Sequence, residues 1–112
     1  MLVSKGYCYI LTNKNKTVLY VGATNNIVRR MNEHKHGVYR KSFTRRYNCD
    51  ILVYFEEYEN MNDAFNREKQ LKAGSRKKKE QLINTMNPDW NDLAISMYDV
   101  NFLLRWDKKK NI

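Results

Sequence analysis

Tyr7-Cys8-Tyr9-Ile10-Leu11-Thr12, then Asn13-Lys14-Asn15-Lys16, then Thr17-Val18-Leu19-Tyr20-Val21-Gly22 is the stretch that decides the fold. Its two outer runs are rich in aromatic and β-branched side chains, which suit a pleated, half-buried surface. Its central run carries two asparagines, a residue that tolerates the left-handed backbone of a tight turn. The pattern predicts a β-hairpin with strands over 7–12 and 17–21, and with Gly22 ending the second strand where a short loop begins. Just beyond, Asn25 or Asn26 is placed to cap a helix running to about Lys35. In it Ile27, Met31 and His34 recur at i, i+4, i+7, while Arg29, Arg30 and Glu33 take other faces.

Working outward, residues 37–48 hold Gly37 and several basic groups and read as a loop. Ile51 to Phe55 is a continuous apolar run that fits a third, buried strand. Asn62 or Asp63 is placed to cap a helix containing Ala64, Phe65, Glu68 and Leu71. Ala73-Gly74-Ser75 breaks that helix, and Ser75 caps a further one through Ile83. Asn87-Pro88-Asp89-Trp90-Asn91-Asp92-Leu93 is turn chemistry around one aromatic anchor. Leu93 to Trp106 is amphipathic and predicts a last helix, with Trp90 and Trp106 as core anchors and Lys108-Lys109-Lys110 as a frayed end. The sum is an α+β fold of three strands and several helices, with one domain over 1–93 and a helical, basic extension over 94–112.

The length of 112 residues suits a single core, and 42% hydrophobic residues are enough to fill one. No apolar run approaches the roughly 18 residues of a membrane span, and the first 30 residues lack a signal-peptide core, so a cytoplasmic location is expected. Cys8 and Cys49 sit in apolar, strand-like runs and read as reduced core thiols, without His or Cys partners at metal-ligand spacing. The formal charge is +9, and it is unevenly placed. Residues 1–46 carry ten basic groups against Glu33 alone, while residues 47–93 carry seven basic and nine acidic groups. A one-sided field points to a polyanion, nucleic acid first.

Four features bear on phosphodiester chemistry. Tyr9 and Tyr20 lie on adjacent hairpin strands and can project to one face if the register allows. Arg30 and His34 are one helical turn apart. Glu68 is a helical carboxylate flanked by Arg67 and Lys69. Such a set offers a proton acceptor, a cation for developing charge and a carboxylate for a divalent metal. Taken singly, each has a plain structural alternative: a core tyrosine, a solvated helix face, an i, i+4 ion pair. Composition and periodicity alone place a non-catalytic nucleic-acid-binding module ahead of an enzyme.

Tyr7-Cys8-Tyr9, followed eleven residues after Tyr9 by Tyr20-Val21-Gly22, resembles the paired motif of the GIY-YIG nucleases. Arg30 stands eight residues after the motif glycine, as in that family, and His34 four residues further. Glu68 in Asn66-Arg67-Glu68-Lys69 matches the family's metal-binding glutamate. Pro88-Asp89-Trp90-Asn91 matches its closing asparagine, with Asn87 as a rival to Asn91. The chain is most similar to small single-domain bacterial members, themselves similar to the nuclease domain of the excision-repair incision protein. The motif's first glycine is absent, and Ala23 stands where the excision-repair relatives carry lysine.

The resemblance implies helices flanking a central three-stranded antiparallel sheet. It also implies a metal-dependent endonuclease that cuts DNA with little sequence preference in repair or turnover, RNA being a second possible substrate. Mg²⁺ or Mn²⁺ would sit on Glu68, Tyr9 or Tyr20 would activate water, with His34 assisting, and Arg30 would hold phosphate oxygens. Asn91 would position Glu68 or the backbone beside it. Arg29, Lys35, Arg40, Lys41, Arg45 and Arg46 could follow the phosphate backbone, and Tyr39, Phe43 and Tyr47 could stack on an unpaired base or cover the sheet edge.

Overall fold

A computed structural model of the chain describes residues 5–36 and 47–98. Tyr39, Arg40, Lys41, Phe43, Arg45, Arg46, Trp106 and Lys108-Lys109-Lys110 lie outside the described residues. The hairpin forms as β1 (Gly6–Thr12) and β2 (Leu19–Thr24), antiparallel, from Tyr7 opposite Thr24 to Thr12 opposite Leu19. Asn13 builds the turn: its Oδ1 accepts the N–H groups of Thr17 (2.9 Å) and Val18 (3.1 Å). Those two amides are thereby withdrawn from the ladder, so β2 starts at Leu19 and not at Thr17. Lys16 takes the left-handed conformation, φ 59°. At its other end β2 runs through Gly22 to Thr24. Gly22 faces Tyr9 across the ladder, and a Cβ there would lie 2.5 Å from the Tyr9 Cζ and Oη. The glycine is needed for that ring, not for a loop.

Strand β3 (Ile51–Tyr58) pairs antiparallel with the other side of β1, giving the order β2-β1-β3. It extends three residues past Phe55, because Glu56, Glu57 and Tyr58 continue the ladder opposite Cys8, Tyr7 and Gly6. The register slips once, between Ile10 and Leu11.

Each face of the sheet has its own core. Tyr9, Leu11 and Leu52 pack with Ile27 and Met31 of α1 (Ile27–Lys35) and with Cys49 and Ala94. Cys8, Ile10, Val21 and Val53 pack on the other face with Leu71 of α2 (Met61–Ala73) and Ile83 of α3 (Arg76–Met86). Both cysteines are free thiols, and burial pushes Cys8 up to about 12 and Cys49 up to about 11.

Helix starts follow their caps. Asn26 Oδ1 accepts from the Arg29 N–H and Ser75 Oγ from the Lys78 N–H, as expected. The cap of α2 is Asn60, two residues before the predicted Asn62, accepting from the Asp63 N–H. Phe65 is 46% exposed on α2. In α1, Glu33, on a face apart from Ile27 and Met31, is buried together with Asn32. Asn32 Nδ2 donates to Val28 O and to Met97 O, both at 2.8 Å, and so ties α1 to the chain's later part.

After α3 the chain passes along β3. Asn87 is buried, donates to Val53 O (3.1 Å) and Asn91 O (2.8 Å), and accepts from the Asn91 N–H. The Leu93 N–H donates to Leu52 O at 2.8 Å. Trp90 is half-buried against the Cys8 face, at φ 54°, with Nε1 donating to Asn84 Oδ1. The helix predicted from Leu93 is, within the described residues, one 3₁₀ turn over Ile95–Met97. Ala94 is fully buried with Tyr9 and Leu11, so the core continues past the expected boundary at Leu93.

Candidate active site

The hairpin register puts Tyr9 opposite Gly22 and Tyr20 opposite Leu11, so both tyrosines project toward α1. Their ring centroids are 6.5 Å apart, and His34 stands 6.4 Å from Tyr9 and 6.5 Å from Tyr20, edge-on to each. Three rings from two strands and one helix thus form a single cluster. Tyr9 is fully buried, whereas Tyr20 and His34 keep partial access to solvent. Burial, and then the Arg30 guanidinium, push His34 down to about 4. Its imidazole is therefore neutral at pH 7, and its unprotonated ring nitrogen can accept a hydrogen bond.

Arg30 lies one turn before His34, with Nε 3.5 Å from Glu33 Oε1. Glu33 is buried beside it, a burial that helix spacing did not reveal. Its i, i+3 spacing from Arg30 was the available signal for the ion pair, and burial turns that spacing into a brace for the guanidinium.

Glu68 comes to the sheet from the other side. It lies one turn before Leu71 on α2, and its Oε2 is 3.2 Å from Lys72 Nζ. The i, i+4 ion pair set out as the plain alternative is present. The pair also places a cation on the oxygen that a divalent ion would use. Among the described residues no group of three or more His, Cys, Asp or Glu could hold a metal. What fits a metal here is one hard oxygen donor, the sparse arrangement that suits Mg²⁺, which keeps most of its water.

The two faces meet at the outer edge of β2. An open cavity of about 330 Å³ is lined there by Leu19, Tyr20, Val21, Lys72 and Lys79. Tyr20 and Lys72, the ion-pair partner of Glu68, therefore line one cleft. The described hydrogen bonds of Asn91 are main-chain bonds to Asn87, which is itself bonded to Val53 O of β3. Glu68 is matched with Lys72 and not with Asn91. Of the expected phosphate-contacting residues, Arg29 is exposed and donates to Asn25 Oδ1, and Lys35 lies 5.2 Å from the Tyr98 ring. Tyr47 is 40% exposed.

Next to Glu68 is a second, fully knit carboxylate. Glu56 accepts from Arg67 Nε (2.9 Å), Arg67 Nη2 (3.2 Å), Tyr54 Oη and Tyr58 Oη. Burial works against its charge, but these donors outweigh burial and hold its carboxyl below the usual range. This network clamps β3 to α2, one residue before Glu68.

An antiparallel three-stranded sheet with paired tyrosines, an arginine and a histidine on the first helix, and a glutamate on the second defines the GIY-YIG nuclease class. The chain belongs to it: the profile of the GIY-YIG catalytic domain matches residues 5–81. Within that class the chain is similar to small UPF0213 proteins. It is 40% identical over 87 residues to one from Syntrophus aciditrophicus, covering 78% of this chain and 98% of that protein. It is 42% identical over 79 residues to UPF0213 protein CPE1444 of Clostridium perfringens, covering 70% and 83%. The solution NMR structure of UPF0213 protein BH0048 from Bacillus halodurans is similar at a TM-score of 0.50 and 30% identity, over 79% of this chain and 92% of that one. No helix among the described residues is long and apolar enough to cross a membrane.

Proposed function

We propose that this protein is an endonuclease that hydrolyses DNA phosphodiester bonds with little sequence preference, using Mg²⁺ or Mn²⁺, in cytoplasmic DNA repair or turnover. The observation that carries the reading is the Tyr9–Tyr20–His34 cluster beside Arg30, with His34 neutral at pH 7. A neutral imidazole beside the two phenols can accept a hydrogen bond from a hydroxyl and so orient it toward the attacking water. Tyr20, which borders the cleft, orients the attacking water, and the fully buried Tyr9 fixes the position of the rings. Arg30, braced by Glu33, presents a planar fork to the non-bridging phosphate oxygens. Glu68 would hold the metal in place of Lys72. Once bound, that ion supplies charge neutralisation at the phosphate.

Cleavage of supercoiled plasmid and of labelled flapped or branched DNA, with Mg²⁺, Mn²⁺ or EDTA, tests the proposal. Cutting is expected with metal and is expected to fall at least about a hundredfold in Glu68→Gln or Arg30→Gln. Tyr20→Phe is expected to cost more in rate than Tyr9→Phe, which should mainly cost stability. Cutting in EDTA would remove the metal, and preferential cutting of matched RNA would remove DNA as substrate. The Glu68–Lys72 pair is the observation that favours the second reading, a non-catalytic nucleic-acid-binding module. Binding without cleavage under every metal would establish that reading instead.

A further inference from the structure

Counted along the chain, residues 47–93 are nearly neutral, but the fold sorts their charges. Glu56, Glu57 and Glu59 lie at or just past the end of β3, and Asp63 lies in the first turn of α2. The cations gather at the opposite end of α2 and in the first turn of α3. Arg76 joins that elbow to the hairpin turn, donating to Thr17 O (2.9 Å) and Lys16 O (2.7 Å).

Two cavities open on this surface. One is the β2-edge cleft, with Tyr20, Lys72 and Lys79. The other, of about 520 Å³ between α2 and α3, is lined by Leu71 and Leu82 together with Arg67, Lys78 and Lys79. Lys79 borders both, and its Nζ is held at 2.8 Å from Gly74 O. Nearby acids are already matched: Glu68 by Lys72, Glu80 by Arg76, and Glu56 by Arg67. Lys78 and Lys79 remain as positive charge along a concave, partly apolar path that begins at an aromatic cleft. That combination matches a sugar–phosphate chain.

We infer that a DNA strand leaving the Tyr20 cleft runs along the α2–α3 groove, with its phosphates on Lys78 and Lys79. This surface lies across the sheet from Arg29 and Lys35. The inference rests on DNA being the substrate and gives that substrate a second track.

Fluorescence anisotropy of a labelled single-stranded DNA 20-mer, in EDTA and over a range of KCl, tests it. Lys78→Gln/Lys79→Gln should flatten the dependence of log Kd on log salt by about 1.4 and weaken binding about tenfold. Lys5→Gln, which removes a cation paired with Glu57 at the far end of the molecule, should change neither. Lys78→Glu alone leaves the Lys79–Gly74 bond intact, so it should weaken binding without moving the melting temperature. An unchanged slope and Kd in both Lys78 variants would overturn the second track while leaving the nuclease reading standing. A wild-type protein that binds no DNA would take down both.

Discussion

His34 makes the stability of this protein sensitive to mild acid in a way that can be calculated. Its imidazole titrates at about 4 in the folded chain, against an ordinary 6.5, because burial and the neighbouring Arg30 oppose the charged form. Above pH 6.5 the native and unfolded chains both hold it neutral, and its titration costs nothing. As pH falls through 6.5 the unfolded chain takes up the proton first, and native stability drops until the folded imidazole also titrates near pH 4. A difference of this size corresponds to about 3 kcal/mol, at about 1.4 kcal/mol per unit. The assay is urea denaturation of wild type and His34→Gln at half-unit steps from pH 8 to pH 4, read by tyrosine and tryptophan fluorescence. Comparison with the variant cancels the carboxylates that titrate in both proteins. The stability difference should be level above pH 7 and should shift steadily against the wild type between pH 6.5 and pH 4. An NMR titration should place the His34 ring protons well below 6. A ring that titrates near 6.5, with a pH-independent stability difference, would refute the reasoning.

Further predictions concern packing. Gly22→Ala inserts a methyl group 2.5 Å from the buried Tyr9 ring and should cost about 1–3 kcal/mol in chemical denaturation, with loss of any cleavage activity. Arg67→Ala strips two charge-assisted bonds from the partly buried Glu56. It should lower stability by about 2 kcal/mol, discounted for partial solvent screening, and raise the acid limb of the unfolding curve. Asn87→Ala leaves Val53 O and the Asn91 N–H without their partner. It should cost about 2 kcal/mol in a thermal or urea melt while preserving the far-UV spectrum. Cys8 and Cys49 are buried thiols held above their ordinary pKa, so they should resist alkylation in the native state and react completely in denaturant.

Where a structural cause is local, the amino-acid order discloses it. The hairpin follows from alternating aromatic and β-branched residues around Asn13, and the starts of α1 and α3 follow from Asn26 and Ser75, each bonding an amide three residues on. The tyrosine pair and the Arg30–His34 spacing are likewise short-range patterns. What escaped depends on distant partners. Gly22 looks like a loop residue until the Tyr9 ring is laid across it. Glu56 and Glu57 look too polar for a strand until Arg67, eleven residues away, and Tyr7 and Lys5 meet them. Glu33, set by spacing on a face apart from Ile27 and Met31, is buried by contacts that spacing does not reveal. The bond by which Asn87 holds the Val53 carbonyl likewise joins residues 34 apart and leaves no mark in local spacing.

The backbone bond from Leu93 to Leu52 has a consequence for how copies of this protein meet. It covers part of the outer margin of β3, where Asn87 also engages Val53. Among the described residues, β2 keeps the unpaired margin of the sheet, and that margin carries Tyr20 with Lys72 and Lys79 beside it. An unpaired strand invites pairing with a strand of another molecule, and lysines at its border repel such an approach. The same positive charge that would draw in a polyanion keeps neighbouring copies of the protein from joining sheet to sheet. A variant stripped of those lysines should tend toward intermolecular β-aggregation.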